Sequence, residues 1–374
     1  MDQPQNQRVL IAGGGIAGLA TLRALAQKGV PATIVERSLQ AADAGLAINL
    51  PGNAVAALHR LGLGEAIERL GYPVKRREYR TRKDRILASI DEDAFWGDAM
   101  RPRAVRRSDL MNMLASGQDA SHILRGTGVA SVSQDATGVR TRLADGQEWI
   151  SDLLVGADGV RSTIRSSVAG TTGASSARLA AASWRFMGPN PGLDCWTLWT
   201  GERGMVLLLP VDERTVYGWA AATSAGAADS DLSLLRDVVR DFPARVRETM
   251  DSVLAYPGSV YHSPIEEVRL TSWSRDRILL IGDAAHATAP VWAEGAALAM
   301  EDALVLADIV AKEGAGPAVG QRFEAARRSR VEHVQAMTDK LSKAARLPHA
   351  LRSLLMPFIT PRSYAATYGP LKQP

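Results

Sequence analysis

A run of glycines, Gly13-Gly14-Gly15-Ile16-Ala17-Gly18, stands between the apolar stretch Arg8–Ala12 and the alanine- and leucine-rich stretch Leu19–Lys28. Strand, glycine loop and helix in that order are what a dinucleotide pyrophosphate requires. Gly13 permits the tight turn, Gly15 lets the backbone approach the phosphates, and Gly18 allows the helix to pack closely on the strand. The helix start at Ile16 and Ala17 offers free N–H groups and the positive end of its dipole. Glu36 closes a second apolar strand, Ala32–Val35. It lies at the spacing of about 20 residues where a carboxylate accepts hydrogen bonds from a ribose diol. A carboxylate there repels a 2′-phosphate, so the nucleotide is read as FAD or NAD and not NADP. Arg37 either flanks the adenine or faces solvent.

Two more segments carry an aspartate just after an apolar strand. One is Val155-Gly156-Ala157-Asp158-Gly159-Val160-Arg161-Ser162; the other is Gly282-Asp283-Ala284-Ala285-His286, with Pro290 and Gly295 behind it. The carboxyl ends of parallel strands form the ligand crevice of such sheets, where a carboxylate can hold a polyol chain. Either aspartate, taken singly, can instead cap a turn or a helix.

The three motifs, in this order and spacing, resemble the para-hydroxybenzoate hydroxylase-type (group A) FAD-dependent aromatic monooxygenases over about residues 8 to 345. Arg107, followed by Leu110 and Leu114, resembles the family's arginine at the head of a helix that touches the cofactor. The resemblance implies that Gly13, Gly15 and Gly18 hold the pyrophosphate and Glu36 the adenosine ribose. It places Val129 near the adenine, Asp283 on the ribityl chain and Asp158 in a loop serving both FAD and a passing NADH or NADPH. Pro290 would lie beside the isoalloxazine, with Gly295 and Ala296 at the helix start behind it. It further implies a single-component monooxygenase in which NAD(P)H reduces FAD and a flavin C4a-hydroperoxide hydroxylates a small aromatic or heteroaromatic substrate, with dioxygen as co-substrate. The chemistry belongs to the cofactor, while the protein orients the reactants and excludes water. Two other readings use the same motifs: an FAD-dependent reductase or dehydrogenase without oxygen insertion, and a non-catalytic flavin-binding module.

The sequence departs from that family in one loop. Where a glycine is usual three residues after the proline, Ala293 stands, so the turn is expected to be one that alanine tolerates. Glu294 precedes Gly295, at the helix end expected to stabilise the anionic reduced flavin. A carboxylate there would oppose that effect, and Glu294 is expected to point outward.

The substrate pocket is expected between the flavin and a β-rich segment. Trp184, Arg185, Met187, Trp196, Trp199, Trp219 and Trp292 are its candidate lining or, equally, sheet core. Arg185 is suited to a phenolate or carboxylate. No side chain is assigned as a catalytic acid or base; His262 and His286 titrate in a useful range, but His286 reads as a structural part of its loop. No metal site is read.

These residues need a scaffold that the pattern supplies. The predicted fold is α/β: a Rossmann-type FAD-binding domain with a parallel sheet, an inserted mostly antiparallel β-sheet substrate domain, and C-terminal helices. The first domain is discontinuous, at 1–72, 101–176 and 270–320; the sheet domain takes 73–100 and 177–269; residues 321–374 form a long charged helix and a tail expected to wrap the surface. A polar, alanine-rich interruption falls at Thr223–Asp231. The 374 residues carry a net charge of +4, with arginines scattered rather than striped, which argues against nucleic acid. The single cysteine, Cys195, excludes an internal disulfide and fits a reducing compartment. The polar N-terminus has no signal-like apolar core, and no apolar run spans a membrane. A cytoplasmic monomer or homodimer is expected.

Overall fold

The computed structural model describes residues 5–39, 46–169, 182–222, 232–262, 266–345 and 349–373. The interruption read at Thr223–Asp231 lies outside the described residues, as does the start of the inserted segment, 177–181.

The first strand, Gln5–Ala12, pairs in parallel with Ala32–Glu36 on one side and Glu148–Gly156 on the other. Its buried members Val9, Leu10 and Ile11 are wholly apolar, because both faces of the sheet are covered. The sheet extends through Ile278–Leu280 and Ser274–Arg275 on one side and Ile123–Arg125 on the other. The hairpin Val129–Gln134 and Val139–Leu143 joins the start of Glu148–Gly156, giving eight strands. The helix Ile16–Gln27 packs across this sheet and against the long helix Gly295–Glu313. Gly29, at φ +67°, lets the chain turn back after the first helix.

A second sheet of seven strands runs in the order Tyr261–His262, Ala182–Pro189, Thr215–Ala222, Gly204–Pro210, Trp196–Thr200, Arg76–Thr81 and Ile86–Asp91. All its pairs are antiparallel except Trp196–Thr200 with Arg76–Thr81. Alternation along the strands divides its side chains between two faces. Trp184, Phe186, Trp199, Val206, Leu208, Val216 and Ala220 form a core under the helices Leu232–Val239 and Ala244–Leu254. The second of these helices was not anticipated from the sequence. Trp196, Leu209, Met187, Leu207 and Tyr217 face the other way. They pack on Ala47, Val74 and Ala104, in and around a small sheet formed by Ala47–Leu50, Arg103–Arg106 and Tyr72–Pro73. This inner face looks toward the parallel-sheet unit.

The tail differs from expectation. Instead of wrapping the surface, His349–Tyr368 is a helix with Pro357 and Pro361 inside it. It drives Tyr364 and Tyr368 into the interior. The two rings lie 4.7 Å apart and meet Trp96, Phe95 and Trp292. The hydrophobic drive of these tyrosines, each with its hydroxyl bonded, outweighs the lost helical hydrogen bonds at the prolines.

Candidate active site

Three strand ends converge. Gly13, at φ +111°, donates from its N–H to the Val35 carbonyl at 2.8 Å. A Cβ on it would lie 2.4 Å from the Ala157 carbonyl oxygen, so the glycine loop lies directly on the Asp158 loop. Gly18 packs still tighter: a Cβ there would fall 1.9 Å from the Gly13 carbonyl oxygen. Gly282, at φ +55°, sits 2.9 Å from the Ala17 methyl by the same construction. The third loop therefore lies against the first turn of the helix after the glycines.

Within this convergence Gly15 is the open position. A Cβ there meets nothing within 4 Å, and the helix start carries no side-chain cap. That is the space and the set of free N–H groups a pyrophosphate uses. Glu36 is held by two backbone donors, Gly14 N–H to Oε2 at 2.7 Å and Ser38 N–H to Oε1 at 2.8 Å. Each oxygen keeps a lone pair for a ribose hydroxyl. Gly14 is thus a working part of the loop that motif reading passed over. Arg37 is exposed, and its Cβ lies beside Gly128, next to half-buried Val129.

Asp158 turns one oxygen inward. Its Oδ2 accepts from Thr163 N–H at 2.6 Å, Thr163 Oγ1 at 3.0 Å and Ile164 N–H at 3.2 Å, while Oδ1 is buried without a partner. Asp283 is exposed, and its Oδ1 lies 3.6 Å from where a Gly295 Cβ would stand. It thus flanks the start of the helix Gly295–Glu313. Arg107 heads the helix Arg107–Ala115, its N–H bonded to the Leu46 carbonyl at 2.8 Å. Its exposed side chain makes no hydrogen bond to the described residues.

The residue that ties two loops together is Arg165, which motif reading missed. Its guanidinium donates to the carbonyls of Ala284 at 2.9 Å, Val160 at 2.9 Å, Gly159 at 3.4 Å and Asp283 at 3.4 Å. Its only sequence signal is an arginine seven positions after Asp158. His286 has the structural place expected of it. Its Nε2 lies 2.7 Å from Asp302 Oδ2, which also accepts Gly282 N–H at 2.9 Å. Burial alone would raise the Asp302 carboxyl, but His286 and Arg327 hold it below its ordinary value.

A glycine loop over a parallel strand, a ribose-type carboxylate, a buried unpartnered aspartate oxygen and a carboxylate at a helix N-terminus fit one long dinucleotide. The sequence profile described as "FAD binding domain" matches residues 6–341. The chain belongs to that FAD binding domain family. This flavoprotein is 29% identical to the FAD-dependent urate hydroxylase of Klebsiella pneumoniae, over 87% of this chain and 86% of the relative. It is 27% identical to a 3-amino-4-hydroxybenzoate 2-monooxygenase of Streptomyces platensis, over 97% of this chain and 96% of that one. Among solved structures, Klebsiella pneumoniae HpxO complexed with FAD and uric acid matches with a TM-score of 0.83 at 25% identity, covering 98% of this chain and 93% of the other. The flavoprotein is an FAD-dependent monooxygenase of the para-hydroxybenzoate hydroxylase type. Among the described residues no helix is long and apolar enough to cross a membrane.

Three expectations for the flavoprotein's site are corrected. Trp184 and Trp199 are not pocket residues: both are fully buried beneath the covering helices. Strand alternation put Arg185 and Trp219, not Trp184, on the inner face. Ala293 occupies φ +57°, a conformation alanine tolerates only with strain. Glu294 points inward and is 1% exposed; Asn53 Nδ2 donates to its Oε2 at 2.9 Å. Trp292 is buried beside it, its carbonyl taken by the Tyr368 hydroxyl and its Nε1 without a partner.

Proposed function

We propose that this flavoprotein hydroxylates a small aromatic or heteroaromatic substrate bearing an acidic group, held on the inner face of the seven-stranded sheet. The observation that carries this reading is the pairing of Arg185 with Trp219. They stand directly opposite each other across two antiparallel strands, and Leu207 flanks Trp219 on its other side. Arg185 Nε and Trp219 Nε1 are buried and have no partner. A cation and an indole N–H turned toward an apolar face suit the anionic edge and the ring of a phenolate or aromatic carboxylate. Tyr217, on the same face, is raised by burial, with Arg185 pulling the other way; it is a neutral hydroxyl beside the cation at neutral pH.

FAD, reduced by NADH or NADPH, supplies electron transfer and oxygen activation when bound. Gly13, Gly15 and Gly18 would hold its pyrophosphate, Glu36 its adenosine ribose, Val129 and Arg37 the adenine surroundings, and Asp283 its ribityl chain. Asp158 and Arg107 would border the middle of the cofactor; Pro290, Gly295 and Ala296 would border its ring. Arg165 fixes the spacing between two of these loops. Trp196 and Tyr368 each lie against Arg77, and Trp292 packs on Tyr368; this aromatic cluster would help keep water from the cofactor ring. The urate hydroxylase and 3-hydroxybenzoate 6-hydroxylase names among the relatives support an acidic aromatic substrate.

The test is NAD(P)H consumption with and without oxygen, screened against phenols, aromatic carboxylates, quinolones and N-heteroaromatics, with labelled dioxygen traced into product. Acceleration by an acidic ring, lost mainly in KM for Arg185→Ala, supports the reading. Oxidation stimulated equally by neutral rings, and insensitive to Arg185, refutes the proposed substrate class.

A further inference from the structure

Among the carboxyls buried under the Pro290–Gly295 loop, Glu294 alone bonds no basic side chain of the described residues. Glu301 accepts from Arg327 Nη2 at 2.9 Å, from Arg330 Nε and Nη2 at 2.7 and 2.6 Å, and from Asn53 Nδ2 at 3.1 Å. Asp302 takes Arg327 Nε at 2.7 Å. Arg77 is spoken for by Glu92 and stacks among Trp196, Tyr364 and Tyr368. Glu301, Asp302 and Glu92 thus each bond a basic side chain: Glu301 bonds Arg327 and Arg330, Asp302 bonds Arg327 and His286, and Glu92 bonds Arg77. Glu294, only 1% exposed, has only the neutral Asn53 amide, and its Oε1 has no partner. An isolated ionised carboxylate in such a place is strongly disfavoured.

We propose that Glu294 is a positioning residue that works as a neutral carboxylic acid: uncharged, it adds no second negative charge to that of Asp283 at the positive end of the helix Gly295–Glu313 beside the flavin ring, and its ionisation lowers the flavin's reduction potential. This rests on the family reading that puts the ring at that helix end. Glu294 is the residue that caps the helix, and its own carbonyl accepts the Leu298 N–H at 2.9 Å. A negative charge at that point cancels the dipole where the reduced ring gains charge. Groups from several elements face it, and the exposed Asp283 carboxylate flanks the adjoining Gly295. Asn53 comes from the helix Gly52–Arg60, Glu301 from its own helix, Arg330 from Val319–Ala345, Arg77 from Arg76–Thr81 and the neutral Tyr368 from the C-terminal helix. Burial first, then Glu301, pushes the carboxyl up to about 8, against the pull of Asn53, Arg330 and Arg77.

Two measurements test this, one without cofactor. In the apoprotein, the folded state keeps a proton on Glu294 that the unfolded chain has released. Wild-type stability toward urea must therefore fall, relative to Glu294→Gln, as pH rises from about 4.5 to about 8, and level off above. In the holoenzyme, the potential of bound FAD should coincide in the two proteins at acidic pH and lie lower in wild type above the ionisation. Asn53→Ala removes a donor that favours the charged form, so its break should move to higher pH. Parallel potential curves for wild type and Glu294→Gln through the alkaline range, or a flat stability difference, overturn the proposal. If Glu294→Gln does not fold, an unmoved break in Asn53→Ala does the same. Visible absorbance reports FAD binding separately, so a failure of the flavin reading itself is distinguished.

Discussion

Arg165 donates to the Ala284 carbonyl at 2.9 Å across a sequence distance of 119 residues. One side chain thereby clamps the Asp158 loop, through Gly159 and Val160, to the loop that presents Asp283. The separation of the Asp158 and Asp283 carboxylates depends on this guanidinium.

Removing it should loosen FAD without unfolding the protein. Hydrogen bonds from a charged donor are worth about 1.5–3 kcal/mol each. Arg165→Met is therefore expected to weaken FAD binding by about ten- to a hundredfold, at 1.4 kcal/mol per factor of ten. ADP, which reaches only the Gly15 and Glu36 side, should bind nearly as before. Fluorescence titration of the apoprotein with both ligands separates the two outcomes; equal loss for both would mean the whole site has collapsed.

Gly15 and Gly18 should respond to the same methyl in opposite ways. Gly15 has φ −80° and open space around its missing side chain, so Gly15→Ala is expected to fold with a stability change under about 1 kcal/mol. It should still lose FAD affinity by about tenfold or more, since the methyl would fill the space proposed for the pyrophosphate. Gly18→Ala would drive its Cβ to 1.9 Å from the Gly13 carbonyl oxygen, and it should be severely destabilised or insoluble. Thermal melting with and without FAD tests the pair.

The contrast shows what was legible in the sequence. Gly13, Gly15, Gly18 and Glu36 are read from order and spacing because a strand, a turn and a helix start are local events. Arg165 and Asn53 escaped because their partners lie 119 and 241 positions away, and an arginine or asparagine on a helix looks the same whether its head reaches water or a buried oxygen. For Trp184 and Arg185, alternation fixes that they face opposite sides of a strand, but not which side is covered. The unanticipated helix Ala244–Leu254 covers the Trp184 side. The tail misled because Pro357 and Pro361 signal chain breaks, while buried Tyr364 and Tyr368 decide the outcome.

Ala293 should be improvable. At φ +57° its Cβ is strained, whereas glycine accepts that conformation freely. Ala293→Gly is expected to raise stability by about 0.5–1 kcal/mol, the usual scale for backbone substitutions of this kind, less the added freedom of the unfolded chain. A higher urea midpoint at unchanged slope is the expected signature. A lower midpoint would mean that the alanine methyl makes contacts worth more than the strain.

Tyr368 couples the C-terminal helix to the Pro290–Gly295 loop through its hydroxyl on the Trp292 carbonyl. Burial raises this phenol, so it stays a neutral donor. Tyr368→Phe leaves a buried carbonyl unsatisfied, which costs about 1–3 kcal/mol. The loop should loosen, and a larger share of NAD(P)H consumption should end as hydrogen peroxide instead of product. A peroxide assay run beside product analysis decides it; unchanged coupling would limit Tyr368 to a packing role.

Asp302 links the charge network to the Asp283 loop, since one oxygen holds Gly282 N–H and His286 while the other holds Arg327. Its carboxyl is held below its ordinary value although burial works the other way, so the partners dominate. A depressed carboxyl contributes stability above the unfolded-state pKa of about 3.9, and that contribution drains away as pH falls through the lower folded value. Asp302→Asn cannot neutralise Arg327, and breaking a buried pair from one side costs about 3–5 kcal/mol. Stability at neutral pH should drop by that order, and the variant should lose much of the wild-type protein's steepening below about pH 4. FAD affinity should fall with it, because the Gly282 amide loses a charged acceptor. If the acid limbs of the two unfolding curves superimpose after the offset, the acid sensitivity belongs to other carboxylates and not to this one.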